Sequence, residues 1–140
     1  MRILVIDDDT IDARKMSESF DSQIAENSPV ILAHNLQGAI QAMENAGREA
    51  MEHANLTAAD IDLWVPHQAN SRIIQDTAHR LGIPAARTVN VVDQYGNSSA
   101  ASIPTALAHA VDCGKIQTGN VLLLTAAGAG MLSAAVVLRW

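Results

Sequence analysis

Ile61-Asp62-Leu63-Trp64-Val65-Pro66-His67-Gln68-Ala69-Asn70 is the stretch on which the fold turns. Ile61 to Val65 is a nearly unbroken apolar run, too short for a stable helix and of the length of a buried strand. Pro66 stops it, because proline has no N–H to continue a ladder. A polar cluster follows, His67, Gln68 and Asn70, and helical spacing then runs through Leu81, with Gly82 placed as the residue just past the helix end and Pro84 beyond it. A buried strand that feeds a helix through a polar loop is the repeating unit of an α/β protein.

The same alternation extends in both directions. Upstream, good helix formers dominate from Leu36 to Ala54, with Ile40, Met43, Gly47, Ala50, Met51 and Ala54 recurring at threes and fours. Before that, Arg2 to Ile6 reads as a buried strand with an acidic tip, residues 11 to 25 as a helix, and Val30 to Ala33 as a second strand. Downstream, Thr88 to Val92 reads as a strand, Gln94 to Ser98 as a loop, and Ala100 to Asp112 as a helix that tolerates Pro104 only in its first turn. Val121 to Thr125 and Ala134 to Leu138 are strands joined by a Gly-rich bend, Ala126 to Met131, too short for a helix. The order β-α-β-α-β-α-β-α-β-β predicts a three-layer α/β/α sandwich, mostly parallel, with one antiparallel edge strand. The runs Ile3 to Ile6, Ile61 to Val65 and Thr88 to Val92 are expected to be the central strands. Ligands are expected at the carboxyl ends of the strands, where Asp7 to Asp9, His34 and Asn35, His67 to Asn70, and Tyr95 to Ser98 collect.

Composition bounds the function. The chain has 140 residues, 49% hydrophobic and 17% charged. That is a single domain, 1–140, able to bury roughly 68 to 70% of its unfolded surface without a metal or disulfide staple. Nine Lys and Arg against fifteen Asp and Glu give a net charge of −6, which repels a phosphate backbone, so nucleic acid is excluded as a partner. No stretch of about 18 apolar residues predicts a membrane span, and the opening does not resemble a signal peptide. The one cysteine, Cys113, fits a reducing compartment, and a cytoplasmic location is expected. No cofactor is predicted. His34, His53, His79 and His109 share no metal-ligand spacing. Oligomeric state is left open.

Two constellations carry chemistry. Asp7 and Asp8 are adjacent carboxylates in a β-α loop and could hold a divalent cation weakly, although acidic residues there also cap the next helix. The segment Arg2-Ile-Leu-Val-Ile-Asp-Asp-Asp-Thr-Ile-Asp-Ala-Arg resembles the opening of a response-regulator receiver domain over about residues 1–35. That family needs a third aspartate at the end of its third strand and a lysine after its fifth. Here those places read Trp64-Val65-Pro66-His67 and Leu124-Thr125-Ala126-Ala127.

The second constellation is Val65 to Ile74 together with Gln94-Tyr95-Gly96-Asn97-Ser98-Ser99-Ala100-Ala101-Ser102-Ile103-Pro104. A histidine after a strand and an asparagine in Tyr-Gly-Asn are also common loop and turn residues. In this order and spacing, and with Leu56 to Asp62 and Gly128-Ala129-Gly130, the segment 36–140 resembles the C-terminal half of beta-ketoacyl-ACP synthase III, an acyltransferase of fatty acid biosynthesis with the thiolase fold. The resemblance implies a flavodoxin-like or thiolase-half-like sandwich. It makes His67 and Asn97 the counterparts of the family's catalytic pair, with Asn70 counted beside them, and Arg72 a position associated with carrier-protein docking. It implies an acyl carrier protein or CoA thioester as partner. The family's cysteine nucleophile lies in its other half, and Cys113, at the end of a helix, is given no catalytic role.

These two resemblances predict a chimera, recombined or engineered, whose receiver-like opening joins the synthase-like remainder near Leu36. A truncated natural gene is the alternative. The function expected is a scaffold with remnants of a synthase site and of an acidic pocket, without efficient catalysis. The rivals are an acyltransferase half that needs a partner chain for its cysteine, and a phosphorelay or metal-binding module.

Overall fold

A computed structural model describes residues 36–127 and 132–140. The expected opening elements, Asp7, Asp8 and the turn at Gly128-Ala129-Gly130 lie outside the described residues.

Helix α1, Leu36–His53, opens the described chain. Its apolar stripe buries Ala39, Ile40, Ala42, Met43 and Met51, and its opposite side is laced by Arg48–Glu44 at 3.0 Å and Gln41–Asn45 at 2.9 Å. Strand β1, Leu63–Pro66, is buried throughout. Helix α2, Ser71–Leu81, begins at an N-cap supplied by Asn70 and ends at Gly82, whose φ of 74° lies in the left-handed region that glycine enters without steric cost. After a 3-10 turn at Ala85–Arg87 come a single helical turn α3, Val92–Tyr95, a 3-10 turn at Ser99–Ala101, and helix α4, Ser102–Asp112. Pro104 stands in the first turn of α4, where its missing N–H costs nothing. Strands β2, Val121–Ala127, and β3, Ser133–Arg139, close the chain.

The described sheet has the order β1-β2-β3. β1 runs parallel to β2 with Leu63 opposite Leu122 and Pro66 opposite Thr125, and β3 runs antiparallel to β2, from Val121 opposite Arg139 to Ala127 opposite Ser133. The antiparallel terminal strand is as expected from its short connection.

Alternation along β1 produces the three layers. Trp64 points into a core built from Met43 and Met51 of α1, Ile74, Ala78 and Leu81 of α2, and Leu123 of β2. Leu63 and Val65 point the other way, onto Val89, Val91, Leu122 and the α4 residues Ala106 and Ala110. Trp64 is fully buried, and its indole N–H donates to Thr125 Oγ1 at 3.0 Å, so the largest core side chain leaves no unpaired donor. Gly47 lets α1 settle on this layer: a Cβ there would lie 3.2 Å from Leu81 Cδ2 and 3.5 Å from Thr125 Cγ2.

One expected strand is corrected. Thr88 to Val92 is not a central strand but a single parallel bridge, Thr88 to Trp64, with the Val89 N–H donating to the Trp64 carbonyl at 2.9 Å. The ladder ends there because the Val91 N–H is taken by the side chain of Gln68, and Val92 then enters the α3 turn. Among the described residues β2, flanked by β1 and β3, holds the central place that the apolar run at Thr88 was expected to share.

Candidate functional site

His67 stands one residue beyond β1. Its backbone N–H donates to the Thr125 carbonyl at 2.7 Å, which extends the parallel ladder and places the imidazole at the carboxyl end of the sheet. The ring is half-buried, and burial pushes its pKa below the usual histidine value, so the neutral form holds at pH 7. Nδ1 lies 2.5 Å from Ser102 Oγ, at the start of α4. The same hydroxyl accepts the Gln68 N–H at 3.3 Å. Ser102 thus ties the end of β1 to the helix that the Asn97 loop leads into.

Asn97 is exposed in the loop between α3 and α4. Its Oδ1 accepts the Ser99 N–H at 3.0 Å, a local turn that commits the amide oxygen to the backbone and leaves the amide N–H₂ as the outward donor. The turn holds Ser99 at φ 50°, an uncommon conformation for a residue with a Cβ.

The other expected site residues are placed as follows. Asn70 Oδ1 accepts the Arg72 N–H at 2.8 Å, so its side-chain oxygen is engaged as a helix cap. Arg72 is exposed in the first turn of α2. Cys113 follows the last residue of α4, whereas Ser102 is the first; across the helix's 11 residues the rise is about 16 Å, so the thiol and the His67 partner sit at opposite ends. Cys113 Sγ instead lies 3.5 Å from His109 Nε2, and His109 Nδ1 lies 3.3 Å from the Tyr95 hydroxyl. Among the described residues no group of three or more His, Cys, Asp or Glu could hold a metal ion, and no helix is long and apolar enough to cross a membrane. A groove of about 330 Å³ between α2 and Ile83 to Asn90 is lined by Ile74, Ala78, Thr88 and Asn90, and its lining does not include His67 or Asn97.

Sequence reasoning missed Gln68 and Ser102 as site-building residues. Gln68 is 1% exposed. Its amide nitrogen donates to the carbonyls of Pro66 at 2.7 Å and Val89 at 3.2 Å, and its oxygen accepts the Val91 N–H at 2.8 Å. A glutamine between two buried apolar runs was the available signal, since a fully buried amide must be satisfied from several directions. Ser102 looked like an ordinary residue of a helix start, and nothing local pointed to His67.

A mixed sheet covered by helices on both faces, with a histidine at a strand end and an amide donor further along the same β1-to-β2 connection, defines an α/β sandwich with a polar site at its carboxyl edge. The family profile described as 3-Oxoacyl-[acyl-carrier-protein (ACP)] synthase III C terminal matches residues 51–140, and the chain belongs to that family. It is 52% identical over 98 residues to 3-oxopimeloyl-[acyl-carrier-protein] synthase of Rhodothermus marinus, covering 70% of this chain and 28% of that protein. It is 45% identical over 102 residues to beta-ketoacyl-[acyl-carrier-protein] synthase III of Staphylococcus saprophyticus, covering 73% and 33%. The crystal structure of 3-oxoacyl-[acyl-carrier-protein] synthase III from Aquifex aeolicus superposes with a TM-score of 0.74 at 42% identity, covering 75% of this chain and 34% of that one. The chain therefore spans about a third of the length of these relatives.

A beta-ketoacyl-[acyl-carrier-protein] synthase III of Deinococcus radiodurans is 39% identical over 121 residues of this chain. That span is longer than 36–140 itself, so synthase-like sequence reaches back into the first 35 residues. A junction at Leu36 does not account for it.

Proposed function

We propose that this chain is the oxyanion-binding half of a synthase III type active site, with His67 and Asn97 as its two donors. The observation that carries the reading is how those donors are engaged: His67 Nδ1 meets the Ser102 hydroxyl, and Asn97 has its oxygen engaged by the Ser99 N–H. Both side chains are left with N–H groups to offer. When a malonyl thioester loses carbon dioxide, its C–C bond breaks and the electron pair becomes an enolate with charge on the thioester oxygen. Two N–H donors preset for that oxygen stabilise the charge as it develops, and a proton taken up on carbon completes the acetyl thioester.

Condensation also needs a cysteine thiolate to carry the first acyl group. Cys113 does not supply it, being at the far end of α4. The half-site therefore acts with a second segment that brings the nucleophile and the remaining acyl-pocket walls, and alone it is a scaffold without efficient condensation. An acyl carrier protein or a CoA thioester is the partner, with Arg72 at the exposed start of α2 as its docking position, and fatty acid biosynthesis in the cytoplasm is the setting. Asn70 belongs to the site as the cap that sets the α2 start behind His67.

The test supplies malonyl-CoA to the chain and follows acetyl-CoA. Slow decarboxylation, reduced by His67→Ala and by Asn97→Ala, is expected, and acetoacetyl product is expected only when a cysteine-bearing half is added. Activity indifferent to both substitutions removes the reading.

A second reading concerns the opening alone. The apolar run Arg2 to Ile6 followed by Asp7 and Asp8 favours a receiver-like acidic pocket, joined as a chimera upstream of the synthase-like sequence. Magnesium titration of the parent against Asp7→Asn/Asp8→Asn tests it, with weak binding lost in the variant as the expected result and identical curves as the refuting one.

A further inference from the structure

We propose that Ser102 is a positioning residue whose hydroxyl donates to Nδ1 of His67 and so holds the ring proton on Nε2. A neutral imidazole has one N–H, and only the tautomer with that hydrogen on the outward nitrogen can donate to a substrate oxygen. Which tautomer exists is decided by the partner of the other nitrogen.

The hydrogen-bond inventory at Ser102 assigns the direction. The hydroxyl carries one hydrogen and two lone pairs. One lone pair receives the Gln68 N–H at 3.3 Å. That donor is a backbone amide, so its direction is not negotiable, and the hydroxyl hydrogen is free for the 2.5 Å contact with Nδ1. Ser102 is 2% exposed and has no other acceptor among the described residues to draw that hydrogen away. Nδ1 accepts, and the proton stays on Nε2, which makes no hydrogen bond to the described residues. Burial of the ring favours the neutral state in which this choice matters.

The geometry is over-determined. Ser102 opens α4, His67 is pinned by its own N–H to Thr125, and Gln68 is pinned by three further bonds. The strand end and the helix start cannot drift apart without breaking both bonds to the Ser102 hydroxyl, from the Gln68 N–H and with His67 Nδ1. The hydroxyl is then the piece of α4 that reaches back to the end of β1, and Asn97 lies on the loop leading into that helix. Catalytic use of this arrangement rests on the proposed oxyanion-binding function; the tautomer itself does not.

Long-range ¹H–¹⁵N correlation spectra of the full chain at neutral pH read the tautomer directly, with the His67 signals identified by their loss in His67→Gln. The parent is expected to show Nε2 protonated and Nδ1 bare. Ser102→Ala, with a folded far-ultraviolet spectrum, is expected to show a mixture of both tautomers. A parent with the proton on Nδ1 overturns the proposal whether or not the alanine variant folds, and so does a folded Ser102→Ala with an unchanged tautomer. The functional reading fails separately: a parent with Nε2 protonated that does not decarboxylate malonyl-CoA removes that reading and supports the positioning role, whereas decarboxylation by a chain protonated on Nδ1 does the reverse.

Discussion

Gln68 and Val91 are joined by a hydrogen bond of 2.8 Å in which the side-chain oxygen accepts the backbone N–H, and this bond ends what would otherwise be a strand. The Pro66 and Val89 carbonyls receive the two hydrogens of the same amide. One side chain therefore substitutes for a length of ladder beside His67. Gln68→Leu keeps the volume close but strands the Val91 N–H and leaves both carbonyls without their donor. Each unpaired buried group costs about 1 to 3 kcal/mol, so urea unfolding should show a loss of about 3 kcal/mol.

Gly47 reports how closely α1 approaches the core. Gly47→Ala asks Leu81, at 3.2 Å, to yield by a few tenths of an ångström, while gaining up to about 1 kcal/mol of helix propensity. The two effects should nearly cancel. Gly47→Val adds branches into the same contact with Leu81 and Thr125 and should destabilise by about 1 to 3 kcal/mol. Thermal melts of the two variants, measured side by side, separate packing from propensity.

Arg87 holds the loop before β1. Its Nη1 donates to the carbonyls of Ala58 and Ala59 at 3.2 Å and of Ile61 at 2.6 Å. Hydrogen bonds from a charged donor are worth about 1.5 to 3 kcal/mol, and Arg87→Met should cost about 2 kcal/mol in denaturant unfolding. Amide exchange should speed up at residues 58 to 61 before it does in β2.

The His67 imidazole resists protonation because it is half-buried. The unfolded chain, with a histidine pKa of about 6.5, binds the proton first, so stability contributed here is complete above that pH and declines as pH falls toward the lower folded value. Urea midpoints compared at pH 7.5 and pH 5.5 should fall in the parent, and His67→Gln should lose part of that fall. NMR titration should place the His67 midpoint below that of an ordinary exposed histidine.

Periodicity and punctuation alone locate most of the framework. Pro66 is the exception: expected to stop the strand, it pairs with Thr125 inside β1, and the ladder runs on through the His67 N–H. The α1 stripe of Ile40, Met43 and Met51, the apolar run Leu63 to Val65, the C′ glycine at Gly82 and the first-turn Pro104 are all short-range patterns. Each stands where local sterics and hydrogen bonding put it. The final hairpin was legible for the same reason, since its connection is too short for a crossover. His67 and Asn97 were legible as residue types at a spacing that resembles a family, now matched over residues 51–140.

Long-range pairing settled the remainder. Apolar content at Thr88 to Val92 is compatible with a strand, and only the Gln68 amide, brought in from another loop, shows why the ladder stops at one bridge. Ser102 carries no local sign of its contact with His67, because a hydroxyl at a helix start serves equally well as a cap. Its role exists only once β1 and α4 are packed on the sheet. Local spacing limits which conformations the backbone can take, whereas the direction of a buried hydrogen bond depends on every donor and acceptor that folding places within about 3 Å of it.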